Sequence, residues 1–148
     1  MKPIKNKRAY FDYEILEKYE AGIELFGFEV KSIKTGHISF KGSFVVIKNN
    51  EVYLLNAFIP PYQPKNTPKD YEPSRTRKLL LRKNEIKTLI GKSKQKGLTL
   101  VPVGVYTKRG LIKLEIGIGK GKKKFDKREK IKKREAKREM ERTLKGKF

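Results

Sequence analysis

The stretch Gly117–Arg128, which reads GIGKGKKKFDKR, divides the chain into two parts of different character. Before it, alternating apolar and polar residues, aliphatic runs and turn residues are typical of short β-strands. After it, the twenty residues to Phe148 carry only a thin scatter of apolar positions, too few to bury a core of their own. We therefore expect a folded body over residues 1–118 and a basic tail over residues 119–148, disordered when free and helical when bound.

The charge of the chain indicates the class of its partner. The formal net charge is +22 at pH 7, of which +10 falls in the last thirty residues. Such charge repels itself in a compact state, and each Lys or Arg that meets a phosphate releases condensed counterions. A membrane surface is the competing polyanion, but no apolar segment is long enough to span a bilayer and the tail lacks a broad apolar face. We therefore expect a nucleic-acid partner and no membrane.

Periodicity leaves one segment of the body ambiguous. Tyr13–Phe26 fits a helix, and it also alternates like a strand with two exceptions, Leu16 and Glu17. Its Tyr and Ile residues favour a long bent strand, and we expect a bulge or bend at Gly22. Pro102 lies inside a later apolar run, where it predicts an edge strand or a bulge.

Two hairpins and two short helices complete the predicted body. Asn49-Asn50-Glu51 joins one hairpin, because Asn tolerates positive φ, and Thr107-Lys108-Arg109-Gly110 joins the other. Apolar spacing predicts one helix before Gly36, with Glu29 on its outer face, and a second helix capped by Asn84. The fold class is therefore mainly β, with about six strands and two or three short helices. An OB-like antiparallel barrel matches this order best, because closing a barrel removes exposed strand edges.

Residues suited to catalysis or metal binding are scarce. The chain has no cysteine, which excludes disulfides and thiolate metal sites, and its one histidine is His37. The glycines of Gly117-Ile118-Gly119-Lys120-Gly121 have the wrong spacing for a phosphate-binding loop, so we interpret them as a flexible hinge. We expect no enzymatic activity, no cofactor and no metal. No apolar signal segment follows the N-terminus, which predicts a cytoplasmic protein.

Aromatic residues next to basic residues are the second indication of nucleic-acid binding. Tyr10 and Phe11 follow Lys7 and Arg8, and Phe125 lies among lysines with no apolar neighbour within four residues. Stacking of a base on such a ring is worth about 1–3 kcal/mol. We expect a stacking or docking role for Phe125, whereas Tyr10 and Phe11 could equally well pack on the barrel.

The tail carries a pattern of charges that suits a helix. It contains three acid-first i,i+4 pairs, each worth about 0.2–0.5 kcal/mol on a helix: Asp126–Lys130, Glu129–Lys133 and Glu141–Lys145. Met140, Leu144 and Phe148 add an apolar stripe that is too thin to fold the segment alone. We expect the helix to form when phosphates neutralise the charge of the tail.

Several blocks of the sequence, taken in order, resemble the SsrA-binding protein family, also called small protein B. The blocks are Asn6-Lys7-Arg8, Tyr19-Glu20-Ala21-Gly22, Gly27-Phe28-Glu29-Val30-Lys31-Ser32, Arg75-Thr76-Arg77-Lys78-Leu79-Leu80-Leu81 and Gly119–Arg128. Any one block alone would be a modest match. Together they cover almost the whole chain and make the resemblance highly specific.

The resemblance implies a function in ribosome rescue. Members of the family have an OB-like barrel that binds the tRNA-like domain of transfer-messenger RNA. They deliver this RNA, with elongation factor Tu, to stalled ribosomes, where trans-translation begins. The tail would then enter the empty messenger channel and contact small-subunit RNA, and we expect the protein to be a monomer. A ribosomal-type structural protein with a barrel body and a basic extension is the alternative.

The resemblance also implies which residues bind RNA. On the barrel they are Asn6, Lys7, Arg8, Glu20, Arg75, Arg77, Leu80 and Lys113. In the tail they are Lys120, Gly121, Lys122, Lys123, Asp126, Lys127 and Arg128, to which the stacking argument adds Phe125. Positions where the family often has histidine hold Phe11, Tyr71, Arg82 and Phe125. Phe and Tyr retain stacking but lose the titratable nitrogens of imidazole.

Overall fold

The structure is a computed structural model that describes residues 1–122, 128 and 131–140. Within these residues the strands are β1 Ile4–Lys5, β2 Tyr13–Ile23, β3 Phe44–Lys48, β4 Glu51–Leu55, β5 Arg77–Leu80, β6 Leu98–Lys108 and β7 Leu111–Gly121. The helices are α1 Lys7–Asp12, α2 Gly27–Lys34 and α3 Lys83–Ser93, with a short 3₁₀ turn at Pro64–Asn66 and a further helix over residues 131–140.

All the described strands belong to one antiparallel sheet in the order β1-β6-β7-β2-β5-β4-β3. The sheet curls so that β3 approaches β6, which gives the barrel-like shape. The prediction of a mainly β, OB-like antiparallel fold is confirmed. The sheet has one strand more than expected, because β1 is only two residues long and leaves no periodic signal.

Apolar side chains form two separate clusters. The larger cluster fills the inside of the curled sheet, where α2 and α3 contribute Ile33 and Leu89. The smaller one lies between α1 and the outer face of the sheet, where Ala9 packs on Val101 and Val103. The long strands β2, β6 and β7 therefore bury side chains on both faces near α1.

A bulge in β2 explains the two exceptions in its alternation. Ile15 pairs with Gly119 and Glu17 pairs with Ile118, so the register shifts at Leu16. Adjacent residues of β7 point to opposite faces, so the bulge moves the odd-numbered residues of β2 from the outer face to the inner face. The prediction of a strand is confirmed. A bulge or bend was predicted at Gly22, and the bulge is absent there, since Gly22 continues the regular pairing.

Both predicted hairpins form, but their turns are shorter than predicted, because Glu51 belongs to β4 and Thr107 and Lys108 belong to β6. Asn49 and Asn50 have φ values of 53° and 59°, the positive values that a two-residue turn between β3 and β4 requires. The second turn is also two residues long, and Arg109 and Gly110 have φ values of 52° and 79°. The bulge that Pro102 indicated is present, because the register of β6 shifts between Pro102 and Gly104.

The interpretation of the glycines as a flexible hinge was wrong for Gly117 and Gly119. Both are buried inside β7, which continues to Gly121 instead of ending at Ile118. A Cβ atom on Gly117 would lie 2.5 Å from Cγ2 of Val103, and one on Gly119 would lie 2.9 Å from Cβ of Tyr13. These glycines are therefore required for close packing against the outer apolar cluster.

The predicted start of α3 was also wrong. The helix begins at Lys83 after Arg82, so Asn84 already lies inside its first turn. Two side chains accept backbone N–H groups at this end: the N–H of Arg82 donates to Glu85 Oε1 at 3.2 Å, and the N–H of Glu85 donates to Asn84 Oδ1 at 3.0 Å.

The structure describes only some residues of the tail. Residues 131–140 are helical and every one of them is exposed. Each of the three predicted tail ion pairs includes a residue outside the described part, and so do Leu144 and Phe148 of the apolar stripe. Within the described part, each helix is too short or too polar to cross a membrane. In the same residues, histidine and acidic side chains do not gather into a group that could hold a metal ion.

Candidate nucleic-acid interface

Three of the residues implied to bind RNA meet on one face of the sheet. Gly22 of β2 pairs with Leu80 of β5 on one side and with Lys113 of β7 on the other, and Glu20 lies two residues earlier in β2. Together they line a shallow groove of about 600 Å³, which we call the sheet groove. Its other lining residues are Leu81, Arg82, Asn84 and Glu85.

Leu80 and Gly22 shape the floor of the sheet groove. Leu80 is 47% exposed although it belongs to a strand, so its side chain offers an apolar surface to a partner. A Cβ atom on Gly22 would lie 3.2 Å from Cβ of Leu80, closer than ordinary van der Waals contact. The absence of a side chain at Gly22 therefore leaves Leu80 in its place and the groove open.

Glu20 is held at the groove by the β6–β7 hairpin. The Tyr106 hydroxyl donates to Glu20 Oε2, and Lys108 Nζ lies 3.4 Å from Glu20 Oε1. The hydrogen bond from Tyr106 lowers the pKa of Glu20, partly opposed by desolvation and assisted by Lys108 and Lys113. Burial and the contact with Glu20 raise the pKa of Tyr106. Glu20 thus stays an ionised acceptor beside the cation of Lys113.

Sequence reasoning missed Tyr106 as part of the interface. The only available signal was its position in the second hairpin, opposite Lys113. That pairing depends on the length of the turn, which was expected to span Thr107–Gly110 and is in fact shorter.

Glu29, predicted to face outward, is fully buried, and that prediction was wrong. Arg77 is also fully buried, and its Nε and Nη2 donate to Glu29 Oε2 at 2.9 and 2.6 Å. Arg75 Nη2 donates to Glu29 Oε1 at 2.5 Å. Two factors therefore decide which face of α2 is buried. One is the spacing of its apolar residues, and the other is that two arginines require Glu29 as their counter-ion. We call Glu29, Arg75, Arg77 and Tyr71 the buried ion network.

Only one of the two arginines in the network has surface to offer to RNA. Arg77 also donates to the carbonyl oxygens of Ala57 and Pro73, at 2.7 and 2.8 Å, so it stabilises the fold from inside. Arg75 keeps a quarter of its side chain exposed. Its guanidinium lies 4.3 Å from the ring centroid of Phe26, itself half exposed.

Tyr71 joins the proline-rich loop to the same network. Its hydroxyl lies 2.8 Å from both Glu29 Oε2 and the carbonyl oxygen of Ile59. Burial, and then the hydrogen bond with Glu29, raise the pKa of Tyr71 to about 12. Its ring packs edge-on against Phe28 with centroids 4.7 Å apart. Tyrosine at this position therefore acts as a hydrogen-bonding anchor of the loop.

The N-terminal RNA-binding candidates lie around the start of α1. Asn6 Nδ2 donates to the carbonyl oxygen of Pro102 at 2.7 Å, which ties the start of α1 to β6. Lys7 and Arg8 are exposed. Arg8 Nε donates to Asp12 at 2.9 Å, and its guanidinium lies 5.2 Å from the ring centroid of Phe11.

The described tail candidates approach the same helix. Lys120 and Gly121 are exposed at the end of β7, and Lys122 Nζ donates to the carbonyl oxygen of Tyr10 at 2.9 Å. The guanidinium of Arg134, in the tail helix, lies 5.9 Å from the ring centroid of Phe11. We call this surface, with Asn6, Lys7 and Arg8, the α1 face. Arg128 is exposed and helical, whereas Lys123, Phe125, Asp126 and Lys127 lie outside the described residues.

The sheet groove and the α1 face lie at opposite ends of β2. Tyr13 pairs with Gly121 at one end and Gly22 pairs with Lys113 at the other. Nine residue steps of an extended strand correspond to about 30 Å. The candidates therefore form two separate surfaces joined by one long strand: the basic α1 face, and the sheet groove, where Glu20 and Glu85 lie beside Arg82 and Lys113.

Comparisons with known proteins agree with this arrangement of motifs. The family model described as "SmpB protein" matches residues 3–146. The "SsrA-binding protein" of Sulfurihydrogenibium sp. (strain YO3AOP1) is 53% identical over 143 residues, covering 97% of this chain and 93% of that protein. The "SsrA-binding protein" of Thermosipho africanus (strain TCF52B) is 55% identical over 141 residues, covering 95% and 94%.

A solved structure is similar as well. It is described as "tmRNA-SmpB: a journey to the center of the bacterial ribosome", and it is 50% identical in sequence with a TM-score of 0.68. The match covers 82% of this chain and 85% of that one. The chain therefore belongs to the SmpB family of SsrA-binding proteins.

Proposed function

We propose that this chain binds the tRNA-like domain of transfer-messenger RNA and delivers that RNA to stalled ribosomes for trans-translation. The observation that carries the proposal is the sheet groove, where Glu20, Leu80 and Lys113 meet from three different strands. The relatives that share about half of this sequence are named for binding SsrA. The similar solved structure is described by tmRNA, SmpB and the ribosome together.

The chemistry of the sheet groove suits a folded RNA. Lys113 and Arg82 offer positive charge to phosphates, which positions the RNA without reading its sequence. The exposed side chain of Leu80 offers apolar contact to a base or ribose. The ionised Glu20 accepts hydrogen bonds, so it matches the amino groups on base edges or the 2′-hydroxyl of RNA.

The tail has a separate task in this proposal. Residues 119–148 carry a net charge of +10, and the helix over residues 131–140 is exposed on all sides. A segment of this kind gains stability when phosphates neutralise it. The tail then enters the empty messenger channel of the small subunit and folds against its RNA. The barrel meanwhile holds transfer-messenger RNA, as a monomer in the cytoplasm, in a delivery complex with elongation factor Tu.

Sequencing the RNA that co-purifies with the chain tests the proposed partner. We expect strong enrichment of transfer-messenger RNA, lost in Lys113→Glu, which reverses a charge in the sheet groove. The matched control is Lys48→Glu, because Lys48 is also exposed at a strand end but lies on β3, away from the groove. Enrichment of ribosomal RNA alone, equal in both variants, would contradict the proposal and favour a ribosomal structural protein.

Truncation tests the division of labour between body and tail. The chain should be truncated after Lys122, because Gly119 and Gly121 pair with β2 and are part of the sheet. We expect the truncated chain to keep its β-sheet circular dichroism and its RNA binding but to lose tagging of stalled peptides. Complete loss of RNA binding in a folded truncated chain would contradict the separate roles of the two parts.

A further inference from the structure

The tip of the β6–β7 hairpin places an arginine in an unfavourable backbone conformation. Arg109 has a φ of 52° in a two-residue turn, where both central residues need positive φ. Glycine and asparagine adopt this conformation most readily, and the hairpin of β3 and β4 uses Asn49 and Asn50 there. An arginine held at such a position indicates a use for its side chain at the surface.

Arg109 lies next to a second exposed cation from a distant part of the chain. Lys34, the last residue of α2, lines the same depression of about 370 Å³. The remaining lining residues are Met1, Thr107 and Gly110, so within the described part of the chain no carboxylate lines the depression. Lys34 and Arg109 make no ion pair with any described residue. We call this depression the tip cradle.

The helix dipole accounts for only one of these two cations. A lysine in the last turn of α2 is favourable because that end of a helix carries partial negative charge. Arg109 belongs to a turn between strands, so no helix of its own accounts for its charge, although it lines the same depression as the end of α2. Two neighbouring cations repel each other until an anion lies between them, so the tip cradle is suited to an anionic ligand.

The tip cradle and the sheet groove belong to the same hairpin. Tyr106 pairs with Lys113 at the groove, and the Lys108–Leu111 pair that precedes the turn lies two residue steps further, about 7 Å. Lys108 also reaches back to Glu20, with Nζ 3.4 Å from Oε1. A polyanion that fills the groove and extends along the hairpin therefore reaches Arg109.

We propose that Arg109 and Lys34 form a binding site for a backbone phosphate of the RNA strand that occupies the sheet groove. The planar guanidinium of Arg109 donates two parallel hydrogen bonds to the phosphate, and the ammonium of Lys34 adds a point charge. Such interactions fix the register of the RNA without reading its bases. The inference rests on the proposed function and adds two residues to its interface.

The test uses the full chain and the tRNA-like domain of transfer-messenger RNA, transcribed in vitro. Arg109→Asn removes the cation and creates an Asn-Gly turn, which this hairpin favours, so the variant keeps its fold. Lys34→Gln removes the other cation without touching the hairpin. For each, we expect the slope of log affinity against log salt to become shallower by about 0.7–0.9 for each phosphate that the variant no longer neutralises. Arg109→Lys should keep the charge and most of the slope.

Controls separate this inference from the proposed function. Lys48→Gln removes an exposed cation beside the other hairpin turn and should leave the slope unchanged. Thermal unfolding of Arg109→Asn at or above the wild-type temperature shows that the fold is kept. If Lys113→Glu weakens RNA binding but Arg109→Asn and Lys34→Gln leave its salt dependence unchanged, the tip cradle is wrong and the proposed function stands. A wild-type chain that does not bind this RNA overturns both proposals.

Discussion

Replacing Glu29 by glutamine removes the only negative charge of the buried ion network. The carboxylate accepts from Arg75, Arg77, the Tyr71 hydroxyl and the backbone N–H of Phe26, at distances from 2.5 to 3.2 Å. In Glu29→Gln, the fully buried guanidinium of Arg77 keeps its charge without a counter-ion. Breaking a buried ion pair from one side typically costs about 3–5 kcal/mol. We expect a loss of that size in the free energy of unfolding.

Urea unfolding of the full chain, followed by circular dichroism, measures this loss. Glu51→Gln is the matched control, because Glu51 also pairs with a cation, Lys78 Nζ at 3.2 Å, but the pair is exposed. Exposed pairs are screened by solvent, so this variant should unfold like the wild type within error. Equal stability of Glu29→Gln and Glu51→Gln would refute the claim that the buried network holds α2 to β5.

The same variant has an expected pH dependence. Burial alone would raise the pKa of Glu29, but hydrogen bonds from Arg75, the Phe26 N–H and Arg77 outweigh burial and lower that pKa. A carboxyl with a lowered pKa stabilises the fold fully above its unfolded pKa of about 4.3, and loses this effect as the pH falls through the folded value. The difference in stability between wild type and Glu29→Gln should therefore be constant near neutral pH and shrink in acid.

Two further predictions concern β7 and the sheet groove. Gly117→Ala should lower the free energy of unfolding by about 1–3 kcal/mol, because the new methyl group would overlap Val103, whereas Gly121→Ala meets open space and should be neutral. Equal effects of the two changes in urea unfolding would restore the hinge interpretation. Tyr106→Phe should raise the pKa of Glu20 towards its ordinary value, as measured by NMR titration of the side-chain carboxyl. Tyr53→Phe should instead raise the pKa of Glu51, so a shift of Glu20 in that control would contradict the assignment.

Local signals in the sequence were enough to predict much of the fold. Asn49 and Asn50 mark a turn by themselves, because positive φ is a property of single residues. The ambiguity of Tyr13–Phe26 was resolved correctly by its β-favouring residues, and its two misfits mark the true bulge. The resemblance brought together Glu20, Leu80 and Lys113, which no local pattern connects.

Features that depend on distant partners escaped sequence reasoning. The partner of Arg77 is Glu29, 48 residues away, and a charged residue on a short helix is ordinarily exposed. Glycine spacing alone suggests flexibility at Gly117, because its packing partners, Val103 and Ile15, are not neighbours in sequence. A glutamate can be exposed or buried in an ion pair, and a glycine can be flexible or closely packed. In both cases tertiary packing decides which of the two occurs.

The most direct test of the central claim is the affinity of the tRNA-like domain for the chain truncated after Lys122, with and without Lys113→Glu. If the sheet groove holds the RNA, the truncated chain binds it and the charge reversal abolishes binding. The opposite result would be binding that survives Lys113→Glu in the full chain and disappears only when the tail is removed. It would place transfer-messenger RNA on the tail and contradict the role assigned to Glu20, Leu80 and Lys113.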